Sequence, residues 1–160
     1  MIRSPGFTLI EAVVYLGLLG IIMGGVLVAV YQIIAASSQN QQRAILQEES
    51  NFLTAKLNWA LTGASTIIHP SSTIPINNLY LKKFDNTEVF FNMDGANNLT
   101  MQLDSGVTHP LNNEAVKIEK LQFLLIPAGG GKPSAIQTTL RITDKLTGRH
   151  QDVATKKYLR

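Results

Sequence analysis

The chain has 160 residues, of which 45% are hydrophobic, and its formal net charge is +3. This length accommodates one folded domain with an attached element. The sequence has no Cys, which excludes disulfide bonds and thiolate zinc sites. Basic residues after Lys145 are interrupted by Asp152, so the charge balance does not indicate nucleic-acid binding.

The first predicted element is a membrane-spanning helix. Residues 12–31 are twenty consecutive positions without a charged, Asn, Gln, Ser or Thr side chain. A helix of this length spans about 30 Å, the thickness of a bilayer hydrocarbon core. Arg3 is the only charged residue before Glu11, and the next cation beyond the apolar run is Arg43. The positive-inside rule therefore predicts a cytoplasmic amino terminus and a carboxyl-terminal domain outside.

A conventional secretory signal peptide fits this segment less well. Such a peptide has an apolar core of about 7–15 residues before a small-residue cleavage site. The Ala-Ala-Ser-Ser of residues 35–38 resembles such a site, but the apolar run in front of it is too long. An uncleaved signal anchor stays open as an alternative.

The stretch Gly6-Phe7-Thr8-Leu9-Ile10-Glu11 precedes the apolar run. Thr8 and Glu11 fit a capping box, in which each side chain accepts a hydrogen bond from the backbone N–H of the other residue. A negative charge in the first turn also complements the helix dipole. Capping does not explain the Gly-Phe junction, and a carboxylate beside a bilayer needs a partner.

This stretch, with the apolar run behind it, resembles the class III signal of type IV pilins and type II secretion pseudopilins. The resemblance covers about the first 35 residues. It implies that prepilin peptidase cuts between Gly6 and Phe7 on the cytoplasmic side and methylates the new amino terminus at Phe7. It further implies that Glu11 attracts the Phe7 amine of a neighbouring subunit during assembly. The family usually has Lys or Arg directly before the Gly, whereas Ser4 and Pro5 stand between Arg3 and Gly6 here.

Gly20 and Gly24 form a G-x-x-x-G pair within the predicted span. Such a pair allows helices to approach closely in lipid, although glycine is also simply tolerated in membrane helices. No Pro lies between Pro5 and Pro70. Since major pilins often carry a Pro in this helix, its absence favours a minor subunit.

The helix is predicted to continue beyond the membrane to Leu61, for about 54 residues from Thr8. Its second half is amphipathic, and Gly63 supplies a stop signal. Trp59 is predicted to pack in the core. The apolar positions of this half recur at helical spacing: Ile45, Leu46, Phe52, Leu53, Leu57, Ala60 and Leu61.

The remaining sequence predicts β-strands separated by turns. Leu99, Met101 and Leu103 alternate on one predicted face. The fold class is therefore α+β, with a pilin-like long helix packed on antiparallel sheet. The strands at 79–84, 88–93 and 99–103 are predicted to form a meander. The full set of predicted strands is 66–68, 79–84, 88–93, 99–103, 116–125, 136–142 and 151–159.

The order of elements resembles the larger minor pseudopilins of the J type, which have two small antiparallel sheets and a closing pair of strands. Gram-positive competence pseudopilins have a similar layout. The predicted segments are a leader over residues 1–6, a transmembrane part over 7–36, an amphipathic helix over 37–62 and a β-rich domain over 63–160.

No catalytic or metal-binding pattern is found in the sequence. His69, His109 and His150 lie far apart, and the glycine loop before Lys132 does not match a phosphate-binding loop. Asp94 and the amides after it are interpreted as a turn rather than a calcium loop. We therefore expect neither an enzyme nor a cofactor.

Two functions remain. The first is a structural subunit of a type IV pilus or of a secretion or competence pseudopilus. Its expected partners are other pilin subunits, prepilin peptidase, the inner membrane and the assembly platform, and it moves from the membrane to the filament or its tip. The sequence does not identify DNA or a secreted substrate as a ligand. The alternative is an extracytoplasmic binding domain on an uncleaved signal anchor.

Overall fold

The structure is a computed structural model that describes residues 8–159. One helix, α1 (Leu9–Leu61), is followed by eight strands. They are β1 (Ala64–His69), β2 (Leu79–Lys83), β3 (Glu88–Met93), β4 (Leu99–Leu103), β5 (His109–Pro110), β6 (Val116–Ile126), β7 (Ala135–Asp144) and β8 (His150–Tyr158). This confirms the α+β fold class.

The contacts divide the chain into two compact units, with the boundary between Gln42 and Arg43. The first unit is described from Thr8 and consists of helix. It carries the apolar run, and its large apolar side chains are 48–85% exposed. By length and composition this part of α1 is able to cross a membrane.

The second unit contains the last nineteen residues of α1 and all eight strands. The helix ends where predicted, because Gly63 adopts a φ of +83° that closes the last turn. The amide and the hydroxyl of Thr62 both donate to the Asn58 carbonyl, at 2.8 and 2.7 Å. The helix residues buried in this unit are Leu46, Ser50, Leu53, Leu57, Ala60 and Leu61.

Strands β1 to β5 form an antiparallel sheet in sequence order, and β6 to β8 form a second antiparallel sheet. A backbone bridge joins the loop after β1 to the second sheet: the Ile76 amide donates to the Phe123 carbonyl at 3.0 Å, and the Phe123 amide donates back at 2.8 Å. Side chains from α1 and from both sheets share one hydrophobic core. Phe91 of β3 and Phe123 of β6 are its largest fully buried members.

The predicted position of Trp59 was wrong. Its side chain is 46% exposed rather than buried in the core. The ammonium of Lys83, at the end of β2, lies 3.4 Å from the centroid of the indole ring. This cation–π contact covers one side of the ring from the surface.

The predicted alternation of β4 holds only in part. Leu99 is fully buried, whereas Leu103 is 39% exposed. Thr100, on the other face, is buried, and its hydroxyl is satisfied by donating to the Asn92 carbonyl at 2.9 Å. The short strand β5 was not predicted, and its two residues pair with Thr100 and Met101.

Asp144 fixes the turn between β7 and β8. Its carboxylate is buried, and its Oδ1 atom accepts hydrogen bonds from the backbone N–H groups of Thr147 and Leu146, at 2.6 and 2.9 Å. The Thr147 hydroxyl donates to the same atom at 2.9 Å. These bonds, led by the Thr147 N–H, hold the pKa of Asp144 below its usual value.

This lowered pKa predicts a pH dependence of stability. A carboxyl group whose pKa is lowered by folding stabilises the protein above its unfolded-state pKa, and the contribution is lost as the pH falls through the folded-state pKa. We expect Asp144→Asn to weaken the loss of stability on acidification from about pH 6 to about pH 2.5. Thermal unfolding of the full chain in detergent, followed by circular dichroism, measures this effect.

Glu114→Gln is the matched control, because Glu114 is exposed and forms no hydrogen bond or salt bridge with another residue in the range 8–159. Equal acid sensitivity of the wild type and Asp144→Asn would contradict the assigned role.

Candidate functional site

The candidate site lies where α1 begins. Gly6 and Phe7, the predicted cleavage and methylation residues, lie outside the residues that the structure describes. At the first described residue, the Thr8 carbonyl accepts hydrogen bonds from the N–H groups of Glu11 and Ala12, at 3.1 and 3.2 Å. Thr8 therefore precedes the first helical turn, as the sequence predicts.

In the part of the chain that the structure describes, the predicted capping box forms its backbone hydrogen bonds but not its side-chain hydrogen bonds. Across residues 8–159, neither the Thr8 hydroxyl nor the Glu11 carboxylate forms a hydrogen bond or salt bridge with another described residue. Glu11 is half-buried in the first turn, where the helix dipole favours its negative charge. Within the described chain, the turn leaves the carboxylate available for a group on another molecule.

Gly20 and Gly24 lie on one face of α1, about 13 and 20 Å along the axis from Glu11 at 1.5 Å per residue. Beyond the backbone of its own helical turns, a Cβ atom built at either glycine meets no atom of the described residues within 4 Å. The apolar side chains around them are exposed. This stretch thus has a surface on which a second helix is able to pack closely.

Two apolar residues of the second half of α1 also lie outside the core. Ile45 is 38% exposed and Phe52 is 43% exposed, although their spacing placed both on the predicted apolar face. The Lys56 ammonium lies 5.7 Å from the centroid of the Phe52 ring. Exposed apolar side chains on α1 therefore also occur beyond the apolar run. Helical periodicity alone does not distinguish such exposed positions from core positions.

The stretch from Asp94 to Asn98, weighed as a calcium loop, forms a turn. Asp94 forms the predicted turn: its Oδ1 accepts hydrogen bonds from the Asn98 and Ala96 amides at 2.7 and 2.9 Å, and its Oδ2 accepts one from the Asn98 side chain at 2.9 Å. Between residues 8 and 159 no group of three or more His, Asp or Glu side chains is placed to hold a metal ion.

Comparison with known proteins identifies the amino-terminal segment only. Residues 1–27 match the family model of the prokaryotic N-terminal methylation motif. No curated protein and no solved structure matches the chain. The matched segment contains Gly6, Phe7, Glu11, Gly20 and Gly24, and it runs into the exposed apolar part of α1. The chain therefore carries, at the start of its long apolar helix, the methylation motif of type IV pilin-like prepilins.

Proposed function

We propose that the chain is a minor pilin or pseudopilin, a structural subunit of a type IV pilus or of a type II secretion or competence pseudopilus. The observation that carries this proposal is the methylation motif over residues 1–27, which leads into an apolar helix with no core of its own to cover it. An apolar surface of this extent is able to contact lipid before assembly and the helices of other subunits after it.

In this proposal the chain enters the inner membrane with its amino terminus in the cytoplasm. Residues 7–36 of the long helix cross the bilayer, residues 37–62 continue outside, and residues 63–160 form the extracytoplasmic domain. Prepilin peptidase removes residues 1–6 and methylates Phe7. The assembly platform then transfers the mature chain into the filament or its tip.

Glu11 is the proposed assembly residue. A carboxylate at the edge of the bilayer is stabilised by a cation, and cleavage after Gly6 creates one at the Phe7 amine of the next subunit. The absence of a described partner for Glu11 within its own chain supports this pairing. Gly20 and Gly24 then allow the paired helices to approach closely.

The subunit class is proposed from the layout. A long helix, two antiparallel sheets and a closing strand pair resemble the J-type minor pseudopilins. The membrane segment also lacks Pro. Both features favour a minor subunit over the major one.

Processing is tested at the native amino terminus. We expect mass spectrometry of the chain co-expressed with prepilin peptidase to find N-methyl-Phe7 as the first residue, and Met1 at the start without the peptidase. Gly6→Val is the matched variant that should block cleavage, because a β-branched side chain replaces the residue before the scissile bond. A chain that keeps Met1 with the peptidase present would contradict the proposal and favour the uncleaved anchor.

A further inference from the structure

A basic pocket lies in the second unit, away from the assembly site. It has a volume of about 500 Å³ and lies between the helix and the turn that leads into β8. This volume is within the range of small-molecule sites. The residues that line it are Arg43, Leu46 and Gln47 of α1, and Arg149, His150 and Gln151 of the turn and β8.

The two walls of the pocket are joined. The Gln151 side chain donates a hydrogen bond from Nε2 to Oε1 of Gln47, at 3.2 Å. Leu46 belongs to the hydrophobic core and is 5% exposed, so its wall is anchored. Asp144 anchors the other wall, because its three hydrogen bonds to Leu146 and Thr147 fix the turn directly before Arg149. Contacts within the second unit therefore hold both walls of the pocket in place.

The pocket is cationic. Three of its six residues are Arg or His, and none is acidic. Arg43 and Arg149 form no salt bridge with any residue between 8 and 159. The Nη1 atom of Arg149 is buried and donates no hydrogen bond to a described residue. A buried guanidinium nitrogen without an acceptor is costly. Arg149 as a whole is partly exposed and lines the pocket, so a small movement of its side chain toward a bound anion gives this nitrogen an acceptor.

Two carboxylates lie close enough to act electrostatically on residues of the pocket, one on Arg149 and one on His150. Asp144 interacts with Arg149, but its Oδ1 is occupied by the hydrogen bonds of its own turn. Asp152 interacts with His150, but both of its oxygens accept hydrogen bonds from Arg141, at 2.6 and 2.8 Å. Neither forms a hydrogen bond with Arg149, so its Nη1 atom has no acceptor among residues 8–159.

We propose that this pocket binds a phosphate group, carried by a phospholipid head group or by a soluble phosphorylated compound. Two guanidinium groups from separate elements present several N–H donors, which match the oxygens of a phosphate better than the two of a carboxylate. His150 and the Gln side chains add further donors. The volume leaves room for the moiety that carries the phosphate. This site does not depend on the proposed function.

Inorganic phosphate is the first probe, titrated into the full chain in a neutral detergent at constant ionic strength. We expect a saturable shift of the His150 ring resonances in NMR spectra. Arg43→Gln and Arg149→Gln should each weaken the affinity about tenfold or more, because each removes charge-assisted hydrogen bonds. Lys132→Gln removes the same charge from an exposed loop and should leave the affinity unchanged.

Native mass spectrometry from nanodiscs separates the two sources. Retention of phosphatidylglycerol, lost in the double variant Arg43→Gln/Arg149→Gln, identifies a lipid head group. Saturable phosphate binding without lipid retention identifies a soluble ligand. The proposal is overturned if neither probe binds, if acetate binds as tightly as phosphate, or if the double variant keeps wild-type affinity while its circular dichroism shows it to be folded.

Discussion

Replacing Glu11 with alanine is expected to keep the chain out of filaments while leaving it in the membrane. The substitution removes the carboxylate proposed to pair with the Phe7 amine of a neighbouring subunit. We expect incorporation to fall at least about tenfold, since a charge pair beside the bilayer is expected to exceed the ~1.4 kcal/mol of a tenfold change. Sheared filament fractions, compared with membrane fractions by immunoblot, measure this ratio.

Two variants make the Glu11 experiment specific. Glu11→Gln keeps the shape of the side chain but not its charge, and it should fail like Glu11→Ala. Glu48→Ala removes an exposed carboxylate from the same helix beyond the apolar run, and it should assemble normally. Normal assembly of Glu11→Gln would contradict the proposed pairing. Because the sequence has no Cys, single cysteines placed near Glu11 are able to report helix contacts by cross-linking.

The largest expected loss of stability follows from Phe91→Ala. Phe91 is fully buried on β3, paired with Leu79 of β2 and Met101 of β4. Truncating a buried Phe removes its apolar contacts and leaves a cavity, so we expect the free energy of unfolding to fall by about 3–5 kcal/mol. Denaturant titration of the full chain in detergent measures this change.

Phe84→Ala is the matched control for this substitution. Phe84 follows β2 directly and is 72% exposed, so its truncation should change the free energy of unfolding by less than about 0.5 kcal/mol. Similar losses in both variants would mean that the packing assigned to Phe91 is wrong.

Much of the fold was predictable because its signals are local. The apolar run, the stop at Gly63 and the turn residues between strands fix α1 and most strand boundaries within a residue or two. The methylation motif at the amino terminus was also predictable from local sequence, since Gly6, Phe7 and Glu11 are close together in the chain.

What the sequence did not predict depends on distant partners. Trp59 lies at the surface, where Lys83, more than twenty positions away, covers one side of its ring. The sequence suggests that Asn112 is a polar loop residue, but its side chain is buried. That side chain accepts a hydrogen bond from the Leu99 amide at 2.8 Å and donates one to the Val116 carbonyl at 3.1 Å, so its polar atoms are satisfied. The basic pocket likewise needs Arg43 and Arg149 to be brought together by the fold.

The burial of α1 in the second unit has a mechanical consequence. A pull along the helix axis is carried in parallel by side chains spread over four turns, from Leu46 to Leu61, which are held by both sheets. Under such a pull, the contacts between α1 and the two sheets have to break at the same time, as in shear. They do not break one after another, as they would if the helix were pulled away from one end. The resistance of the second unit to such a pull is then set by its unfolding rate.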